Sequence, residues 1–81
     1  MSDAEILAAT FRDVLDLTPG VDLSAVRYGS PETWDSVAHM ELITAIETAF
    51  GVEVQPDDIP EMASYRAAVR VLHQRYGLVV G

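Results

Sequence analysis

Residues 35–51 are the stretch that most restricts what this 81-residue chain can fold into. Asp35 is a favoured helix N-cap residue, and Gly51 is a natural stop because glycine takes the left-handed conformation at little cost. Between them, apolar side chains recur at helical spacing along one broad face. These residues are Ala38, Leu42, Ile43, Ala45, Ile46, Ala49 and Phe50. The pattern predicts an amphipathic helix over 36–50.

The opposite face of this helix is polar except for two residues, Val37 and Met40, which lie beside Ser36. Acidic residues surround the pair: Asp35, Glu41 and Glu47. An apolar pair on an otherwise polar face indicates a contact surface for a partner. The simpler interpretation is a solvated face with two isolated apolar residues, which are common on protein surfaces.

Two further helices are indicated on either side of this one. A capping box of Ser2 and Glu5 opens a helix over about 3–16, whose apolar stripe belongs to the core. Ser64 caps a last helix over 64–76.

A short helix is expected over 56–61, with a proline at its start and another at its end. Together the segments predict a single all-α domain over 1–81. Its fold is a small four-helix bundle with a long first loop and a short third helix.

The long first loop lies between about 17 and 34, after Thr18-Pro19-Gly20 breaks the first helix. We expect Leu23, Val26 and Tyr28 to point inward from it. Trp34 either anchors this loop against the core or faces a partner.

The composition excludes several classes of function. The chain has 13 acidic residues against five arginines and a net charge of −8, which disfavours nucleic acid and anionic membranes as partners. The same acidity also keeps a small protein soluble. There is no cysteine, so any thioester chemistry needs a thiol from a cofactor. With no signal peptide or membrane-spanning stretch apparent, we expect a cytoplasmic monomer.

Ser36 lies where backbone N–H groups and the positive end of the helix dipole converge, a position that favours a phosphate. A serine there is ordinarily only a capping residue. Asp35 can cap the helix instead, which would leave the Ser36 hydroxyl free.

These features resemble the acyl carrier protein family. The resemblance rests on Asp35-Ser36-Val37 at the start of the central helix, on the Glu41-Leu42 pair and on the Phe50-Gly51 ending, and it covers residues 4 to 76. Two positions depart from the family pattern. Val37 replaces the usual leucine, and Trp34 precedes the aspartate where the family often has a small residue such as glycine.

The resemblance implies that Ser36 carries 4′-phosphopantetheine, transferred from coenzyme A by a phosphopantetheinyl transferase. Acyl groups would ride on its thiol as thioesters between an acyl-loading enzyme and a ketosynthase or other acyltransferase. Basic docking patches on these enzymes would meet five residues: Asp35, Val37, Met40, Glu41 and Glu47. The chain itself would have no catalytic residue.

The resemblance also implies an inner cavity that shelters cargo. Its candidate lining residues are Leu42, Ile46, Ile59, Met62, Ala68 and Leu72. The sequence around Ser36 is more similar to discrete carriers of polyketide or related specialised metabolism than to the fatty acid carrier. An aminoacyl or peptidyl cargo is the alternative within this class.

Other functions fit the residues less well. His39 with Asp35 and Ser36 suggests a hydrolytic triad, but no nucleophile elbow is present, and a partly buried histidine with satisfied nitrogens is the simpler interpretation. His39 and His73 lack a third ligand, so no metal site is expected. A helical docking module that never receives the cofactor remains the alternative from a different class.

Overall fold

The computed structural model describes residues 1–81 and consists of three α-helices without strands. Helix α1 covers Asp3–Val14, α2 covers Ser36–Phe50 and α3 covers Tyr65–Tyr76. A single 3-10 turn at Leu23–Ala25 interrupts the chain between α1 and α2. The all-α prediction is confirmed.

Local side chains determine where the helices begin. Ser2 and Glu5 form the reciprocal capping box of α1. The Asp35 carboxylate accepts from the Ala38 backbone N–H at 2.9 Å, and Ser64 caps α3 in the same way. Each cap satisfies a backbone donor that has no partner inside its helix.

Two glycines end the later helices. Gly51 follows α2 with φ 65°, and Gly77 follows α3 with φ 71°. A side chain would strain the backbone at these angles, so glycine is the residue that stops these helices at low cost.

The core is built from all three helices and from both connections between them. Phe11 of α1 occupies its centre, with its ring edge-to-face against Trp34 at 5.7 Å and against Tyr65 at 4.8 Å. Leu42 and Ile46 of α2 pack beside it with almost no exposed surface. Burial of these side chains is the main stabilising contribution to so small a fold.

The first connection, residues 15–35, folds over the core as an ordered segment. Leu23, Val26 and Trp34 are buried, so the loop packs inward at these positions. Tyr28 does not: 48% of its surface is exposed, and the inward orientation predicted for it is wrong. The physical reason is a backbone pairing, described next, that turns residue 28 toward the surface.

Residues 26–28 pair with the chain leading into α3. The Tyr28 N–H donates to the Ala63 carbonyl at 2.8 Å, and the Tyr65 N–H donates to the Val26 carbonyl at 3.0 Å. These two hydrogen bonds hold residues 26–28 of the first connection beside the start of α3. Tyr28 consequently lies at the rim of the molecule.

The second connection, residues 51–64, differs from the sequence prediction. Residues 56–61 form consecutive turns, and no helix is present there. Pro60 explains this result, because it lacks the N–H that would donate to the Pro56 carbonyl in an α-helical turn. Helix α1 also ends at Val14 rather than near 16, where Asp16 takes a left-handed φ of 53°.

None of the three helices combines the length and the apolar character required to cross a lipid bilayer. The longest of them, α2, has 15 residues.

Candidate functional site

Ser36 is the first residue of α2, and its side chain is exposed. Asp35 performs the capping, so the Ser36 hydroxyl is not needed to complete the helix. The first-turn N–H groups and the positive end of the helix dipole favour negative charge at this end. A phosphodiester on Ser36 would therefore sit in a favourable electrostatic environment.

A surface groove of about 440 Å³ begins at Ser36. It runs between α2, the first connection and the second connection. Its lining residues are Tyr28, Ser36, His39, Met40, Ile59, Pro60 and Ala63. No carboxylate or guanidinium is among them. The groove thus offers an apolar surface directly beside an exposed hydroxyl.

His39 forms the floor of the groove and makes two hydrogen bonds with its ring. Its Nδ1 accepts from the Trp34 indole N–H at 3.0 Å, and its Nε2 lies 2.8 Å from the Ile59 carbonyl oxygen. The indole N–H can only donate and the carbonyl can only accept. The imidazole is therefore neutral with its proton on Nε2.

Three rings support one another under the groove. Trp34 and His39 lie edge to edge and nearly coplanar, with centroids 5.8 Å apart and an interplanar angle of 23°, and Tyr28 meets both rings edge-on. Trp34 has no exposed surface. It therefore anchors the first connection, and the alternative in which it faces a partner is excluded.

The apolar pair predicted on the polar face of α2 is exposed. Val37 keeps 66% of its surface accessible and Met40 keeps 50%. Met40 lines the groove, whereas Val37 lies outside it. Asp35, the N-cap of this helix, and Glu41, a residue within it, are also exposed.

Glu47 differs from Asp35 and Glu41 because its side chain is half-buried and bonds to the second connection. Its carboxylate accepts from the Val54 backbone N–H at 2.8 Å. This bond fastens the start of the second connection to α2. The residue is half-buried and is less free to meet an incoming surface than Asp35 or Glu41.

The six residues expected to line an inner cavity lie in two different places. Five are tightly packed core side chains: Leu42, Ile46, Met62, Ala68 and Leu72. Ile59 alone lines the groove. The open space next to Ser36 is therefore the surface groove.

A polar cluster holds the outer side of the second connection against α3. The Tyr76 hydroxyl donates to Asp58 at 2.5 Å and accepts from the Gln55 N–H at 2.8 Å. Arg75 pairs with both Asp58 and Glu61. The hydrogen bond from Tyr76, together with Arg75, holds the pKa of the Asp58 carboxyl below its usual range.

Hydrolytic chemistry has no support in this geometry. The two ring nitrogens of His39 are occupied by Trp34 and Ile59, so the ring does not act as a base for Ser36. No group of three or more His, Cys, Asp or Glu side chains is placed to hold a metal ion.

Sequence reasoning missed three groove residues: Tyr28, Pro60 and Ala63. Tyr28 was expected inside because it is a large aromatic residue in a loop that packs on the core. Pro60 and Ala63 gave no signal, since they reach the groove only through the turns of the second connection.

Comparison of this chain with protein-family models, with curated proteins and with solved structures returned no match.

Proposed function

We propose that this chain is an acyl carrier protein in which Ser36 bears 4′-phosphopantetheine. The proposal rests on two adjacent residues at the start of α2 that have different roles. Asp35 caps the helix, while the adjacent Ser36 is exposed beside an apolar groove. The motif that resembles the carrier family falls at this position.

The proposed modification is a phosphoryl-group transfer from coenzyme A, carried out by a magnesium-dependent phosphopantetheinyl transferase. The Ser36 hydroxyl oxygen bonds to the β-phosphorus of coenzyme A as the bond to the departing nucleotide breaks. The hydroxyl proton passes to a base of the transferase, and adenosine 3′,5′-bisphosphate leaves. The phosphodiester on Ser36 then tethers a flexible arm ending in a thiol.

The tethered thiol would give the protein its function. Acyl groups bound to it as thioesters would reach successive enzyme active sites at high local concentration. In this proposal the chain is a substrate and shuttle in the cytoplasm and catalyses nothing alone.

The exposed surface of α2 supports docking by partner enzymes. Val37 and Met40 present apolar area, and Asp35 and Glu41 would attract basic patches and so speed encounter. We propose the acyl-loading enzyme and a ketosynthase or other acyltransferase as these partners, in polyketide or related specialised metabolism. Glu47 would contribute less, because Val54 already engages it.

The four-helix bundle of the carrier family belongs to this proposal. Residues 56–61 would correspond to its short third helix, and they form turns in this chain. We propose that the segment forms a wall beside the attachment site, to which Ile59 and Pro60 contribute.

The experiment that tests the function is intact mass spectrometry after incubation with coenzyme A, magnesium and a promiscuous phosphopantetheinyl transferase. We expect the parent to gain one phosphopantetheine and Ser36→Ala to gain none. Ser24→Ala is the matched control, because Ser24 is also exposed but its hydroxyl donates to Asp22, the N-cap of a 3-10 turn.

Two outcomes of this experiment would change the proposed function. A folded parent that gains no mass contradicts the carrier function and leaves an unmodified docking module that uses Val37 and Met40. A modified parent that accepts amino acids but no acyl groups from loading enzymes indicates an aminoacyl or peptidyl carrier.

A further inference from the structure

We propose that His39 is a positioning residue that holds the second connection against α2 and so keeps the groove beside Ser36 in one shape. The inference rests on the proposed function, because the groove bears on function only through a group attached to Ser36. The starting observation is that the groove wall formed by Ile59 and Pro60 contains no regular helix.

Polar side chains from the two neighbouring helices, α2 and α3, bind the wall on both of its sides. On the outer side, Tyr76 and Arg75 of α3 bind Asp58. On the groove side, the hydrogen bond from His39 to the Ile59 carbonyl ties the wall to α2. Since Asp58 and Ile59 are adjacent, the two attachments act on the same turn from opposite directions.

His39 itself is fixed by the residues around it. The residue is 8% exposed, and its ring lies nearly coplanar with Trp34 and meets Tyr28 edge-on. Trp34 donates to Nδ1 from a side chain that has no exposed surface. The ring therefore cannot turn away from Ile59 without breaking the bond to Trp34.

Only one form of the ring makes both bonds. A proton on Nδ1 would place two donors, the imidazole and the indole, face to face. The alternative neutral tautomer would turn a lone pair toward the Ile59 carbonyl. The position of the groove wall thus depends on a neutral imidazole that carries its proton on Nε2.

The test compares His39→Gln with His39→Phe by amide hydrogen exchange of the unmodified protein. Glutamine offers one acceptor and one donor and can replace both bonds, whereas phenylalanine fills the space without making either. The reporters are the amides of Glu61 and Met62, which are hydrogen-bonded within the turns. His73→Gln and His73→Phe are the controls, since His73 is exposed on the far side of α3.

We expect His39→Phe to speed exchange at Glu61 and Met62 about tenfold, as loss of these buried bonds implies. Amides of α1 should change less. His39→Gln should restore protection to within about twofold of the parent. Equal exchange in the parent and His39→Phe would overturn the proposal, and so would His39→Gln behaving like His39→Phe.

A second measurement decides the matter if His39→Phe does not fold. The nitrogen chemical shifts of the imidazole in the parent report its protonation directly. We expect an unprotonated Nδ1 and a protonated Nε2, and the reverse assignment would overturn the proposal. The mass spectrometry test on Ser36 is independent of the hydrogen-exchange test on His39. A parent that is never modified would contradict the proposed function, whereas the exchange result would still decide the positioning role of His39.

Discussion

The two connections of this fold are held by different kinds of interaction. The first connection is fixed by buried apolar side chains, Leu23, Val26 and Trp34, and by backbone hydrogen bonds to the start of α3. The second connection buries Val54 and Met62, but polar side chains from α2 and α3 bind most of its turns. Both contribute a wall of the groove beside Ser36.

This difference indicates which part of the molecule depends on pH and ionic strength. Apolar burial involves no titratable group, so we expect the packing of Leu23, Val26 and Trp34 to depend little on pH. Ion pairs and hydrogen bonds to carboxylates depend on protonation and ionic strength. The second connection can therefore loosen under conditions that leave the first one in place.

The largest expected effect comes from removing the anchor of the first connection. Trp34→Ala should lower the free energy of unfolding by about 3–5 kcal/mol, because it leaves a cavity in the core and unpairs His39. Urea denaturation measures the loss. Tyr28→Ala is the matched control in the same connection, and an equal loss in both variants would refute the anchoring role of Trp34.

A smaller effect is expected from the polar cluster of the second connection. Tyr76→Phe removes the hydroxyl that joins Asp58 to the Gln55 N–H. The free energy of unfolding should fall by about 1 kcal/mol, since the remaining partners can reach water. The same urea measurement applies, with Tyr28→Phe as a control on a half-exposed ring. Equal losses of unfolding free energy in Tyr76→Phe and Tyr28→Phe would show that the Tyr76 hydroxyl stabilises the fold no more than an exposed hydroxyl does.

The third expected effect is a change in the acid dependence of stability. The folded state lowers the pKa of Asp58 below an unfolded value of about 3.9, so its contribution is present above that value. It is lost as the pH falls through the lower pKa of the folded state. The difference in unfolding free energy between the parent and Asp58→Asn should therefore shrink from about pH 6 to about pH 3.

Urea titrations at a series of pH values check this expectation. Glu5 and Asp22 also have lowered pKa values, but both variants share them, so their contributions cancel in the comparison. A difference that stays constant with pH would mean that the Asp58 carboxylate gains nothing from Tyr76 and Arg75.

The helices could be located from the sequence because their ends depend on nearby residues. Asp35 caps α2 through a bond to Ala38, and Gly51 stops it by its own backbone angle. The burial of Trp34 was one of two alternatives that the sequence left open, and the structure decides between them. The satisfied state of His39 was also predicted, although its partners were not.

The second connection could not be predicted because its structure depends on residues distant in the chain. Asp58 meets Tyr76 and Arg75 only after α3 has docked, and Ile59 meets His39 across the groove. Local spacing at 56–61 suggested a helix and contained no sign of these contacts. Tyr28 was misplaced for a related reason, since its pairing with Ala63 depends on the tertiary fold.

The backbone pairing of residues 26–28 with the start of α3 has a consequence for cooperativity. The bonds from Tyr28 to Ala63 and from Tyr65 to Val26 join segments that lie on opposite sides of α2 in the chain. Helix α3 cannot detach at its N-terminus without releasing the first connection. We therefore expect the first connection and the N-terminus of α3 to unfold together as one cooperative unit.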